Sequence, residues 1–340
     1  MFLIEKLCAS GVPGGQGGAS LAGARFAINF YHSNDATGPV VASRIFEAQA
    51  AGNRAFVNME NPAHMVSGPP MIIGDLGEAI WGLGSISVQE VLAPPGFLID
   101  PNRYVGVIEI NDANPWGASF RWLTDAPMVG RIPDGISVYN EAIHGGVRIE
   151  KWDLELDART PQGDGTLAGA VFDIINRNPR AAIVNGVSIA PNQVALTLTT
   201  DANGVTQTDC NYILPYGVWE IVERVPPIGY LNTGNVSRRF FITQDSVWVE
   251  LNTSETSIQN QVIRGDFEGV KIDDNGQRLA RVPFLIESVT TGEAHVIVTD
   301  DNGEFGTSSD FAWRGLFTNR GLLWSDGVWF GGRVEKWSSD

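Results

Sequence analysis

Apolar and polar positions alternate over short runs along this chain, the period of a half-buried strand rather than of a helix. Residues 219–230 read Trp-Glu-Ile-Val-Glu-Arg-Val-Pro-Pro-Ile-Gly-Tyr. In a strand Trp219, Ile221 and Glu223 share a face, so a carboxylate lies in line with two large apolar side chains. Pro226, Pro227 and Gly229 then end the strand, because proline cannot donate to a ladder and glycine permits a tight turn. Residues 86–97 repeat the device. Ile86, Val88 and Glu90 share one face, Ser85, Ser87 and Gln89 the other, and Pro94, Pro95, Gly96 and Phe97 follow. The interval from Glu to Gly to aromatic is the same in both copies. A carboxyl on an apolar face is costly without a partner, so the rest of the chain is expected to supply one.

Internal repeats point to it. Leu21-Ala-Gly-Ala-Arg-Phe26 returns as Leu167-Ala-Gly-Ala-Val-Phe172 and, more weakly, as Leu279-Ala-Arg-Val-Pro-Phe284. Each copy follows a strand that carries a lysine. The chain has four lysines, Lys6, Lys151, Lys271 and Lys336, and the first three occupy this one repeat position. Parity puts Lys151 on the face of Val147 and Ile149, and Lys271 on that of Phe267 and Gly269. Lysine is rarely buried unless paired. Ahead of the second and third lysine strands, Asn140 shares a face with Ile136 and Val138, and Asn260 with Ile258. The repeat therefore predicts units at 1–143 and 144–263 and an incomplete one at 264–340. Alternating runs at 195–200, 247–251 and 295–299, with Asn-Gly turns at 203–204 and 302–303, complete a β reading. The fold class expected from these signals is all-β, with β-sandwich domains in tandem and short helical turns allowed in inserts such as Val40–Ala51.

Composition narrows the partners. A net charge of −16 argues against nucleic acid or an anionic membrane. No apolar run is long enough to span a bilayer. Met1–Leu7 is too short and too charged for a signal peptide, so an export signal is expected outside this chain, or the protein is cytosolic. Cys8 and Cys210 are too far apart in sequence to suggest a disulfide framework and are expected to be ordinary thiols.

The two complete units each place three polar residues on the core side of three strands: Lys6, Glu90 and Asn140, then Lys151, Glu223 and Asn260. One reading is a buried ion pair beside an amide, a specificity device. The other is covalent. A desolvated lysine becomes a nucleophile, and a protonated glutamic acid can polarise the Asn carbonyl and shuttle protons. Attack on the Asn side-chain carbon would expel ammonia and leave a Lys–Asn amide.

Lys151-Trp-Asp153, Leu167 to Phe172, Thr200-Asp-Ala-Asn-Gly204, Leu214-Pro-Tyr-Gly217 and Glu223 to Tyr230 together resemble the prealbumin-like Cna-B, or SpaA-type, domains of Gram-positive surface proteins. The resemblance is close over 144–263, good over 1–143 and partial over 264–340, where Lys271-Ile-Asp273, Leu279 to Phe284 and Thr299 to Gly303 match. It implies that the tandem sandwiches are prealbumin-like (Ig-like), extracellular stalk domains of pilins and adhesins, in which Glu90 and Glu223 promote isopeptide bonds Lys6–Asn140 and Lys151–Asn260. Two departures stand out. Cys8 occupies the family's acidic position after the lysine, and the first unit carries a Gly-rich insert at Gly11–Gly18. Lys271 has no visible Glu or Asn partner. Residues 332–337 echo the lysine strand, and no wall-sorting motif closes the sequence, so a longer protein is expected.

Other signals are weaker. Arg264-Gly265-Asp266 reads as an interdomain turn, with integrin binding the minor alternative. Gly14–Gly18 lacks the Lys-Ser/Thr of a phosphate cradle, the four histidines lack metal-ligand spacing, and 300–303 lacks the ligands of a calcium loop. No cofactor and no metal are expected. The function expected is a non-enzymatic stalk segment of a cell-surface adhesin or pilin-like protein, flanked by further domains and with a possible host or matrix ligand. The alternatives are a ligand-binding adhesin module, with recognition in the insert 29–84, and an accessory domain of a secreted carbohydrate-active enzyme.

Overall fold

The computed structural model describes residues 3–52, 54–74, 79–113, 118–124, 135–208, 211–289, 292 and 294–307. The chain is all-β, built as tandem β-sandwiches. Among the described residues the one helical element is a single 3-10 turn, Pro62–His64, capped by the Asn61 side chain accepting from the Ala63 amide. No helix there is long and apolar enough to cross a membrane.

In the first sandwich the strand Leu3–Cys8 lies between Ile136–Asn140, parallel to it, and Arg54–Asn58, antiparallel, with Gln49–Ala51 at the edge. The other sheet runs Ala118–Trp122, Arg103–Ile110, Gly84–Leu92, Arg25–Tyr31, Ala42–Glu47, Met65–Ser67. Alternate residues of both sheets, among them Ile4, Phe26, Ile28, Phe46, Ile86, Val88 and Val138, form one core. The helical turns expected within Val40–Ala51 are absent. Ala42–Glu47 and Gln49–Ala51 are strands, because Phe46 and Ala48 have a core to enter and Ala42–Glu47 pairs in register with Arg25–Phe30. Tertiary pairing outweighs local propensity there.

The second sandwich repeats the plan. His144–Asp153 is its central strand, paired in parallel with Val247–Leu251 along its first half and with Ile258–Val262 along its last residues. The other sheet runs Val194–Thr199, Val171–Asn176, Gly217–Val225, Ser237–Ile242. Trp219 is the largest fully buried side chain of the core between them, and its Nε1 donates to the Pro215 carbonyl at 2.9 Å.

From Lys271 to Gly306 the opening of the second sandwich recurs. The Lys151 amide donates to Gly204 and the Lys271 amide to Gly303, both at 2.8 Å. Thr200 Oγ1 donates to Leu167 and accepts from the Ala170 amide; Thr299 Oγ1 does the same with Leu279 and Val282. The described strands here are two pairs, Glu268–Val270 with Glu304–Gly306 and Pro283–Glu287 with Ala294–Val298, and Phe284 stacks on Phe305. Parity places Lys271 like Lys151, yet it is only partly buried and its Nζ donates to the Ile272 carbonyl. No described strand faces it to close a core. The echo at 332–337 lies outside the described residues, as does Cys210. Cys8 is buried, its Sγ 2.9 Å from Ser10 Oγ.

The Gly-rich insert packs against the second sandwich. Gly17 donates to the Ala181 carbonyl at 2.8 Å, Gly18 to Tyr216 at 3.0 Å, and buried Gln16 accepts from the Ile183 amide at 3.1 Å. In return Arg180 donates to the Ala19 carbonyl at 2.8 Å. The backbones approach so closely that a Cβ on Gly18 would lie 2.9 Å from Gly217 Cα. Tyr216, from the second sandwich, packs onto the first core over Gly96.

Candidate functional site

Strand register brings the three predicted residues of each set together. Lys6 lies opposite Val138, two residues before Asn140, and Lys151 lies opposite Ile258, two residues before Asn260. In the other sheet Glu90 pairs with Phe26 and Glu223 with Phe172, the last residues of the two Leu-Ala-Gly-Ala repeats. A bulge precedes each phenylalanine, between Arg25 and Phe26 and between Val171 and Phe172. Such a bulge re-aims the strand so that lysine from one sheet meets glutamate from the other across the core.

All six residues are buried, both lysines completely. In the first site Lys6 Nζ stands 3.0 Å from Glu90 Oε1 and 5.5 Å from the Phe26 ring centroid. Glu90 Oε2 accepts from Asn140 Nδ2 at 2.8 Å. In the second, Lys151 Nζ is 3.7 Å from Glu223 Oε1 and donates to the Ile258 carbonyl at 2.9 Å, while Glu223 Oε2 accepts from Asn260 Nδ2 at 2.6 Å. Burial pushes both lysines down, Lys151 to about 8, against the pull of the glutamate partner. Burial pushes the Glu223 carboxyl up, outweighing Lys151 and the Asn260 hydrogen bond. Both shifts favour the neutral pair, an amine able to attack and an acid able to give a proton.

The carboxyl meets the amide nitrogen of the asparagine rather than the carbonyl oxygen anticipated from sequence. In the first site this orientation is fixed twice, because Asn140 Nδ2 also donates to the Leu98 carbonyl at 2.7 Å. The glutamate thus lies where a leaving ammonia would form. Both Oδ1 atoms, of Asn140 and Asn260, are buried without a hydrogen-bond partner, and Glu90 Oε1 and Lys6 Nζ, though in ion-pair contact, are not aligned for a hydrogen bond. Orphaned buried polar atoms are costly, and several of those among the described residues belong to the two triplets.

No protein-family model matches the chain, and no curated protein does. Solved structures align with it over most of its length. The Bacillus anthracis TIE protein aligns over 90% of this chain and 42% of its own, at 16% identity and a TM-score of 0.48. A streptococcal ancillary pilin aligns over 90% of this chain and 86% of its own at 15% identity and 0.27, and GBS52, the minor pilin of Streptococcus agalactiae, over 78% and 98% at 16% and 0.27. The last two of these neighbours are pilins. The chain spans less than half the length of the TIE protein.

Sequence reasoning marked Asp153 and Tyr230 only through the resemblance, without their contact, and missed the groups around the first triplet. Asp153, two residues after Lys151, is fully buried and accepts from Tyr230 OH at 2.8 Å, from Gln162 Nε2 and from the Leu156 amide. The Tyr230 hydroxyl is pushed up to about 12, chiefly by burial and then by that carboxylate. The first sandwich has Cys8 at the Asp153 position and Phe97 at the Tyr230 position, so both halves of the pair are replaced together. A different buried pair lies there, Asp100 with Tyr104, whose hydroxyl donates to Asp100 Oδ2 at 2.6 Å. The Asp100 amide also donates to Glu90 Oε2 at 2.7 Å. Nothing in the spacing of Asp100 from Lys6 or Asn140 marks it in the sequence.

Three weaker signals also resolve. Arg264 of the Arg-Gly-Asp tripeptide is bound by Glu155 and Gln162, which holds Glu155 down to about 2. The Asp300 carboxylate accepts from the amides of Asn302 and Glu304, a closed turn. Among the described residues no group of His, Cys, Asp or Glu could hold a metal ion.

Proposed function

We propose that this chain is a structural stalk segment of a bacterial cell-surface adhesin or pilin-like protein, extracellular and non-enzymatic, made of units at 1–143, 144–263 and 264–340. In each complete unit Lys Nζ attacks Asn Cγ, the Cγ–Nδ2 bond breaks, and ammonia leaves. The proton lost by the amine passes through the glutamic acid to the departing nitrogen, so Glu90 and Glu223 end as they began. The products are the amides Lys6–Asn140 and Lys151–Asn260. The observation that carries this reading is the same buried Lys–Glu–Asn triplet, in the same strand register, in two sandwiches only distantly alike in sequence.

Mechanics supports the stalk role. Each amide would join the first strand of a sandwich to its parallel last strand, so tension applied along the chain would bypass the fold between them. Cross-linking a loop of about 100 residues is worth about 4–5 kcal/mol in the chain-entropy model for disulfides, and an amide acts similarly. Stretching single molecules by force tests this. The wild type is expected not to extend over 151–260, whereas Glu223→Ala releases that length. Equal extension by both would overturn the stalk reading.

A further inference from the structure

The first and second sites hold the same triplet but different surroundings, and the difference falls on the acidic group beside it. At the second site the acidic neighbour of the lysine is Asp153, on the lysine's own strand and tied to Tyr230. At the first, the equivalent positions are Cys8 and Phe97, neither of which supplies a carboxylate or a hydroxyl. Asp100 enters from the segment after Glu90 instead. It is buried, its carboxylate is held by Tyr104 OH on one oxygen and by the amide and side chain of Asn102 on the other, at 3.0 and 2.6 Å, and its own amide clamps Glu90 Oε2.

We propose that Asp100 is a positioning residue for the Lys6–Asn140 condensation, replacing the Asp153–Tyr230 pair of the second site. Its amide fixes the Glu90 oxygen that faces the leaving nitrogen of Asn140. Its carboxylate, held by Tyr104 and Asn102, is coupled electrostatically to Lys6, second to Glu90. The direction of that charge is supported by Lys6, whose desolvation is offset first by Glu90 and then by Asp100. The Tyr104 hydroxyl is pushed up by its burial and by Asp100, so it stays a donor. The remaining charged neighbour on the lysine strand, Glu5, points away and is paired with Arg54 and Ser137. This inference rests on the condensation reading above, and the second site serves as its internal control.

A negative charge raises the pH at which its neighbours lose their protons. Removing it as Asp100→Asn keeps the backbone amide and the shape of the side chain, and is expected to move the whole pH–rate profile of the first condensation toward acid. The full chain is refolded from denaturant over a range of pH, and ammonia loss is followed by peptide mapping of the Lys6–Asn140 and Lys151–Asn260 cross-links separately. Asp100→Asn is expected to shift the first profile and leave the second unchanged; Asp100→Glu, which restores the charge, is expected to restore the first. An Asp100→Asn profile identical to wild type at the first site, with the second bond formed as usual, overturns the role of Asp100 alone. Absence of both cross-links in the wild type overturns it together with the condensation reading. A first-site yield that drops without a shift in pH overturns the electrostatic role and leaves only a structural one.

Discussion

At the residue scale, what matters is that six polar side chains are carried into two apolar cores by strand parity. An unreacted Lys–Glu pair there would bear a desolvation penalty of several kcal/mol per ion. Condensation removes the lysine charge, and with it most of that cost. The pH dependence follows. The reactive state needs neutral Lys151 and neutral Glu223 together. Above about 8 the lysine is already neutral and the loss of the Glu223 proton dominates; in acid both groups are protonated and the nucleophile is lost. The rate of Lys151–Asn260 formation after refolding is therefore expected to fall in both acid and base, and a rate that climbs steadily with pH would show that Glu223 is not the acid. Outside the site, Trp219→Ala removes a fully buried ring and its hydrogen bond to Pro215. Denaturant melts should record a loss of about 3–5 kcal/mol. Parity made Lys151, Glu223 and Asn260 legible in the sequence, since period-2 alternation needs only local residues. Asp100, Leu98 and the orientation of the Asn140 amide were not legible, because they depend on where a separate segment lies once the sheets are stacked.

At the scale of elements, the strands and the Asn-Gly turns follow from alternation, and the repeat fixes which strands correspond. The Gly-rich insert does not. In sequence Gly11–Gly18 is only a Gly-rich insert, and Gly145 and Gly146 stand just past the boundary between the first two units. In the fold those two glycines are buried inside the strand His144–Asp153, and the insert clasps the second sandwich through Gln16, Gly17 and Gly18. Cleavage near 143–146, where the first two units meet, is thus expected to be suppressed in the wild type. Gly18→Val would drive a side chain into Gly217. Limited proteolysis should then open the 143–146 junction in Gly18→Val, while the Lys151–Asn260 region stays resistant. Equal resistance in both proteins would mean that the insert does not hold the junction.

At the scale of the whole molecule, the first two sandwiches share contacts and a ring, Tyr216, whereas the passage into the third part runs through 263–267 without a strand. Arg264 and Glu155 pin that passage from outside, an exposed pair worth at most about 1 kcal/mol. Hydrogen exchange is expected to be fastest in 264–307, where Ile297 is the one buried aliphatic among the described residues, and protection there equal to that of 144–263 would contradict the view of an open third unit. The central claim remains the pair of amides, and intact mass of the denatured protein tests it most directly. The wild type should be lighter than its sequence by one ammonia per bond, two in all, with Glu223→Ala and Asn260→Ala each regaining one. A wild-type mass equal to that of the plain sequence would contradict the cross-links and leave two buried ion pairs in their place.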